Sequence, residues 1–204
     1  NTREIIKTFH ADDPRIQLIT TKINSGPAVS RNTAIENSQG RFIAFLDSDD
    51  LWNYNKLEIQ LSFMQKNQVP FSFTSYKRIF TNYKYESLVN APNSISYGDL
   101  LYSCKIGCST VMYDTEKIGK VYMPPVQKGQ DWGLWLKILR NGFNAQGIKD
   151  VLTIYRVGNG SVSSNKLIKS YCMWEICRNY EKLSLIRSIF CLLSFVVYKI
   201  INIT

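Results

Sequence analysis

The sequence predicts an α/β fold, and three observations carry the prediction. The apolar run Phe42-Ile43-Ala44-Phe45-Leu46 has the length of one buried strand and is too short for a typical helix. Helical segments flank it, at 25–40 and 53–66. Further strand-like runs then alternate with helices, and in the first half this alternation argues for a parallel sheet. With 204 residues the chain can build one substantial core. Its 45% hydrophobic and 13% aromatic content excludes a disordered chain.

Each element has a local reason. Residues 4–9 read as the end of a helix, and 16–19 as a short strand after Asp13-Pro14. Ser25 or Gly26 caps the next helix, Pro27 sits in its first turn, and Gly40 follows its end. The strand 42–46 comes next. The helix 53–66 carries Leu57, Leu61 and Met64 on one face. Residues 71–76 alternate like a strand, 78–85 read as another, and 90–93 form a turn. A β-rich run occupies 109–113, and Pro124-Pro125 breaks the chain. A helix over 130–141 is stopped by Gly142. A last strand at 151–156 leads into a Gly/Ser loop through Ser164, and helices at 166–182 and 184–203 close the chain.

The chemistry concentrates in Asp47-Ser48-Asp49-Asp50, directly after strand 42–46. Crowded carboxylates repel one another unless a cation sits between them. Loops at the carboxyl ends of strands in α/β sheets are where ligands bind. A hard divalent ion held by one or two carboxylates, with phosphate oxygens completing its shell, suits such a loop. The plainer alternative is an acidic turn whose Asp50 caps the following helix.

A net charge of +9 favours an anionic partner, but no short basic run dominates, which argues against nucleic acid. Five cysteines without a Cys-x-x-Cys pair, and a single His10, argue against a zinc site or a disulfide framework. Reduced thiols in a cytosol fit this usage best.

Asn24-Ser25-Gly26, Ala28-Val29-Ser30-Arg31-Asn32 and Gly40 to Asp50 together resemble the nucleotide-sugar half of family 2 glycosyltransferases of the GT-A fold. Gln130-Asp131-Trp132-Gly133-Leu134-Trp135 resembles that family's catalytic-base segment, and Tyr155-Arg156 with Ser161-Val162-Ser163 its substrate loop. The resemblance covers most of residues 1–165 and is nearest to enzymes of O-antigen, capsule and teichuronic-acid assembly. It implies a GT-A (Rossmann-like) mixed sheet flanked by helices, with a helical tail at 166–204. It also implies that the first βαβ unit, roughly 45 residues, is missing ahead of Asn1.

The resemblance further implies that Asp49, with Asp47, holds Mn²⁺ or Mg²⁺ against the donor diphosphate, and that Asp47 also meets donor ribose or sugar. Asn24, Gly26 and Arg31 fall on the nucleotide, and Arg156 on the diphosphate. Asp131 becomes the general base of an inverting transfer to a glycan or lipid-linked saccharide. Gln130 stands where the family usually has Glu. The Gln-x-x-Arg-Trp signature of processive synthases is absent, which favours addition of a single sugar. Trp132 and Trp135 have the spacing of core residues, and Gly107-Cys108-Ser109 is expected near the acceptor.

Two other readings stand beside this one. A catalytically inactive fragment would serve as a binding or interaction module. A nucleotidyltransferase would need further clustered carboxylates for two-metal chemistry. In the tail, Lys166, Lys169, Arg178, Lys182, Arg187 and Lys199 border apolar sequence whose uncharged core of 11 residues is below the roughly 18 needed to cross a bilayer. The tail is expected either to pack on the domain or to lie peripherally on the cytoplasmic face of a membrane.

Overall fold

The computed structural model describes residues 2–21, 24–80, 85–157 and 166–201. In chain order the elements are α1 (Thr2–Asp12), α2 (Gly26–Asn37), β1 (Phe42–Ala44), β2 (Leu51–Trp52), α3 (Lys56–Lys66), β3 (Phe71–Phe80), β4 (Tyr85–Val89), β5 (Ser94–Ile95), α4 (Tyr97–Tyr102), β6 (Met112–Asp114), α5 (Thr115–Ile118), α6 (Gln130–Arg140), β7 (Ala145–Val157), α7 (Lys166–Glu175) and α8 (Leu185–Ile201). A 3₁₀ turn at Cys108–Thr110 precedes β6, and a π-helical turn at Ile176–Tyr180 separates α7 from α8.

The strands form one mixed sheet in the order β1-β6-β3-β7-β2, with β4 paired to β3 and β5 to β7. Only β3 and β7 run parallel; the other described pairings are antiparallel, which corrects the expected parallel first half. The reason is topological. β1 gains its neighbour from β6, far downstream, so the local alternation of strand and helix does not fix its direction of pairing. Residues 71–80 make one continuous strand where two were expected. No strand forms at 16–19, where Ile16 and Ile19 are exposed and no described neighbour offers a ladder.

The core lies between the sheet and α6. Trp135 is fully buried, with Phe71 at 5.3 Å and Phe45 at 5.7 Å between ring centroids. Trp132 is buried too, its indole N–H donating to the Leu100 carbonyl at 2.9 Å. Both tryptophans therefore belong to the core rather than to a sugar-stacking surface.

α3 departs from its expected face. Leu57 is half exposed, and the buried stripe is Lys56, Gln60 and Met64. Lys56 Nζ donates to Gln60 Oε1 at 2.6 Å and lies 4.3 Å from the centre of the Trp52 ring. Gln60 in turn donates to Ser72 Oγ and to the Thr110 carbonyl, both at 3.0 Å. Hydrogen bonding makes this polar stripe tolerable in the interior.

α8 packs one face on the domain. Cys191 and Ser188 are fully buried, the Cys191 thiol donates to the Leu101 carbonyl, and Phe195 meets Trp132 edge-on at 5.2 Å. Its opposite face is apolar and open: Ile186, Ile189, Phe190, Leu193, Val196 and Val197 are all exposed. Among the described residues, no helix is long and apolar enough to cross a membrane.

Candidate active site

The acidic loop leaves β1 and folds into a tight turn, closed by the Asp50 N–H donating to the Asp47 carbonyl at 3.0 Å. The turn sends its three carboxylates into three environments. Asp47 is half-buried and ion-paired with Arg31 of α2. Asp49 is exposed at the tip, and its carboxylate has no partner among the described residues. Asp50 is buried, and Ser109 Oγ donates to it at 2.6 Å. Asp50 therefore does not cap α3, whose N-cap is Asn55; the loop needs Asp50 inward, and β2 intervenes before the helix. Burial, with Asp49 and Asp47 beside it, pushes the Asp50 pKa up to about 6 despite the Ser109 and Arg156 hydrogen bonds.

Ser109 organises this loop. Its hydroxyl donates to Asp50 and accepts the Asp47 N–H at 3.1 Å. Its own N–H donates to the Tyr155 hydroxyl at 2.8 Å, and its carbonyl accepts from Trp52 Nε1 at 2.7 Å and Thr153 Oγ1 at 3.2 Å. Gly107 permits this approach, since a Cβ there would lie 2.5 Å from the Tyr155 hydroxyl. Sequence reasoning gave Ser109 only a place near the acceptor. Its one signal was a serine in the β-rich run, and the partners lie in the acidic loop and on strands β2 and β7, far away in sequence.

Arg156 follows Tyr155 on β7, and its Nε donates to the Asp49 carbonyl at 2.5 Å. Arg156 is thus brought to the tip of the acidic turn. Gly26 opens α2 at φ +83°, a left-handed conformation suited to glycine, and its N–H donates to Asn24 Oδ1 at 3.2 Å. Asn24 and Gly26 have no hydrogen bond to the acidic loop among the described residues. Asn32, one position beyond Arg31, ties α2 to the segment before Pro124 by two bonds to the Met123 backbone, at 2.9 and 2.7 Å. Ser161-Val162-Ser163 lie outside the described residues.

Asp131 stands in the first turn of α6. Burial raises its pKa; the Trp132 N–H and the charges of Arg31 and Lys169 pull it down, and Asp47 pushes it up. The buried Cys108 thiol is raised by burial and feels Asp131, Arg31, Asp47 and Asp50 in turn. Arg31 is raised by Cys108, Asp47 and Asp131 against its own desolvation. Asp131, Arg31, Asp47 and Cys108 thus act on one another electrostatically, and Arg31 and Asp47 are in direct contact.

The donor set fits a divalent ion of a particular kind. Among the described residues no three metal-ligating side chains converge. Among the described residues the acidic turn offers one free carboxylate, Asp49, and one shared with Arg31, Asp47. That suits an ion such as Mn²⁺ or Mg²⁺ that takes one or two carboxylates and fills its shell with phosphate oxygens and water.

Comparison with known proteins adds the following. The family described as Glycosyl transferase family 2 matches residues 1–118. The Bacillus subtilis glycosyltransferase TuaG, provisionally assigned to teichuronic acid biosynthesis, is 40% identical over 195 residues, covering 95% of the chain and 77% of that protein. The Escherichia coli UDP-Glc:alpha-D-GlcNAc-diphosphoundecaprenol beta-1,3-glucosyltransferase WfgD is 40% identical over 201 residues, covering 98% of the chain and 78% of that protein. The crystal structure of S. aureus TarS 1-349 in complex with UDP-GlcNAc superposes with a TM-score of 0.72 at 17% identity. That match covers 99% of the chain and 61% of the TarS chain, and at this identity the likeness is one of fold.

Proposed function

The chain belongs to glycosyl transferase family 2, and on that premise we propose that it transfers a single sugar, with inversion and with a divalent metal, from a UDP-sugar to a hydroxyl of a glycan or lipid-linked saccharide in cell-surface polysaccharide biosynthesis. The observation that carries the reading is the Arg31–Asp47 ion pair, whose two charges both act on Asp131, with the free Asp49 carboxylate two positions beyond Asp47. The acceptor named for WfgD, a diphosphoundecaprenol-linked sugar, supports the lipid-linked choice.

In this reading Asp131 accepts the proton of the acceptor hydroxyl as that oxygen attacks the anomeric carbon from the face opposite the diphosphate. The bond between the anomeric carbon and the phosphate oxygen breaks, its electron pair leaves with the nucleoside diphosphate, and one displacement inverts the stereocentre. Asp49 with Asp47 would hold Mn²⁺ or Mg²⁺, which would supply positive charge against the leaving diphosphate. Arg156 sits beside Asp49 and adds a guanidinium suited to phosphate oxygens. Arg31, with Asn24 and Gly26 at the start of its helix, faces the nucleotide, and its pairing to Asp47 sets that carboxylate's direction. The open apolar face of α8, with Arg187 exposed at its border, supports peripheral contact with the cytoplasmic face of a membrane.

The test is an assay against a panel of nucleotide sugars with lipid-linked and free saccharide acceptors. Transfer is expected, with Asp49→Ala and Asp131→Asn each abolishing it. Full transfer by both variants would overturn the site assignment.

A further inference from the structure

We propose that Asn32 is a positioning residue for sugar transfer: its carboxamide fixes the strap 120–124 along α2, and Pro124, seated on Gly133, passes that register to the turn of α6 that carries Asp131. The inference rests on the glycosyltransferase reading with Asp131 as base.

α2 buries a narrow stripe. Ala28 and Ile35 are its buried residues, and Asn32 lies four positions after one and three before the other, so it shares their face. A polar amide in the middle of a packing stripe needs hydrogen bonds to offset its desolvation. Asn32 Nδ2 donates to the Met123 carbonyl at 2.9 Å, and Asn32 Oδ1 accepts the Met123 N–H at 2.7 Å. A carboxamide carries donor and acceptor side by side, so one side chain closes both backbone groups of Met123. One turn further along α2, Lys120 Nζ donates to the Glu36 carbonyl at 2.7 Å, and the Tyr122 hydroxyl donates to the Glu36 carboxylate. Residues 120–123 therefore run antiparallel to α2, and Met123 meets the helix one position from Arg31.

The strap then reaches α6. A Cβ at Gly133 would lie 2.5 Å from Pro124 Cγ and 3.5 Å from Ile176 Cδ1. The Pro124 ring thus sits against the helix backbone, at a contact that only a glycine leaves open. The Gly133 N–H donates to the Gly129 carbonyl at 3.0 Å, closing the first turn of α6, and Asp131 lies inside that turn. Gln130 Nε2 donates to the Gln127 carbonyl at 2.8 Å and fastens the same turn to the chain that follows the strap. A shift of Pro124 therefore shifts the turn that holds Asp131. Misplacing a reacting group by about 1 Å costs up to about 10²-fold in rate. The acidic turn is held separately by Ser109, so loss of Asn32 leaves Asp47 and Asp50 on their Ser109 hydrogen bonds.

The experiment compares the parent with Asn32→Ala, Pro124→Ala and the double variant, below every melting transition. It reads kcat for transfer, calorimetric affinity for UDP with Mn²⁺, and amide hydrogen exchange. Each single variant is expected to lower kcat about tenfold or more. The double variant should fall no more than about twofold below the weaker single, because both act through one contact. UDP affinity should stay within about twofold, as for an interaction that matters only during transfer. The Gly133 amide should exchange about tenfold faster, with Asn141 at the far end of α6 unchanged. Asn37→Ala, an exposed position in the last turn of α2, leaves all three readouts at the parent's values. A lower melting temperature with kcat kept would make Asn32 a purely structural bond and overturn the proposal. Weaker UDP binding at unchanged kcat would place Asn32 with the donor, and unchanged Gly133 exchange would break the link to α6; either overturns it. A parent that transfers from no nucleotide sugar would instead remove the functional reading, while exchange at Gly133 still decides whether Asn32 sets the start of α6.

Discussion

Ser109 Oγ donates a 2.6 Å hydrogen bond to the buried carboxylate of Asp50 while accepting the Asp47 N–H at 3.1 Å. One hydroxyl thus holds both ends of the acidic turn and leaves Asp49 free at its tip. Ser109→Ala removes a buried donor and strands the Asp50 carboxylate. A stability loss of about 1–3 kcal/mol is expected by chemical denaturation. The metal concentration for half-maximal transfer should rise severalfold, with kcat at saturating metal much less affected. A stability loss with an unmoved metal requirement would mean that Ser109 supports the fold and not the position of Asp49.

Gly107→Ala drives a methyl group to 2.5 Å from the Tyr155 hydroxyl and 3.0 Å from its ring carbon Cζ. Overpacking of this kind costs about 1–3 kcal/mol. Tyr155→Phe removes the closest atom, so the double variant should lose less than the sum of the singles, as a double-mutant cycle on melting free energies would register.

Asp131→Asn separates a catalytic base from a plain helix-start charge. As the base, its loss should lower transfer by about 10²–10⁴-fold. Burial raises the Asp131 pKa in the folded chain, so its stability contribution is complete below the ordinary carboxylate value and is lost as pH rises through the folded value. Asn should therefore raise the melting temperature at neutral pH. A carboxylate serving only the helix dipole would give the opposite, a loss of about 0.3–1 kcal/mol. The acid limb of the rate profile should lie above the usual carboxylate range, and Lys169→Gln should move it higher by removing a charge that lowers the pKa.

Lys56 is fully buried, and desolvation brings its pKa down to about 7 from 10.5. A lysine whose folded value is lowered is neutral in the folded chain and protonated in the unfolded chain between those two values, so stability rises with pH across about 7 to 10.5. Lys56→Met should flatten that part of the stability profile, measured by denaturation at pH 7, 8.5 and 10. An unchanged slope would remove Lys56 as its source.

The exposed face of α8 is expected to bind membranes containing anionic lipid. Phe190→Asp with Leu193→Asp changes only exposed positions. Co-sedimentation with phosphatidylglycerol vesicles should fall at least tenfold, with melting temperature nearly unchanged. Equal sedimentation by variant and parent would count against membrane contact.

Much of the local structure could be read from the chain. Pro27 and Gly40 bracketed α2 closely, Gly142 marked the end of α6, and the apolar run before Asp47 delivered the acidic loop as a strand does. The misplaced elements share a cause. The stretch at 16–19 has strand-like residues without a partner strand, and the helix at 53–66 buries Lys56 and Gln60 because Ser72, Thr110 and Trp52 happen to lie beneath it. Patterns of apolar spacing see the residue and not its neighbour.

From its own sequence the chain determined where its chemically capable side chains fall: three carboxylates after a strand, an aspartate opening a tryptophan-rich helix, and arginines on α2 and β7. Residue type and local spacing suffice for that, because they act over a few positions. What the tertiary structure decided is how alike residues divide their work. Asp47, Asp49 and Asp50 are nearly adjacent in the chain, yet one pairs with Arg31, one stays open, and one is locked to Ser109. Burial and distant partners set a carboxylate's charge and direction, and both come from segments that meet only when the sheet closes.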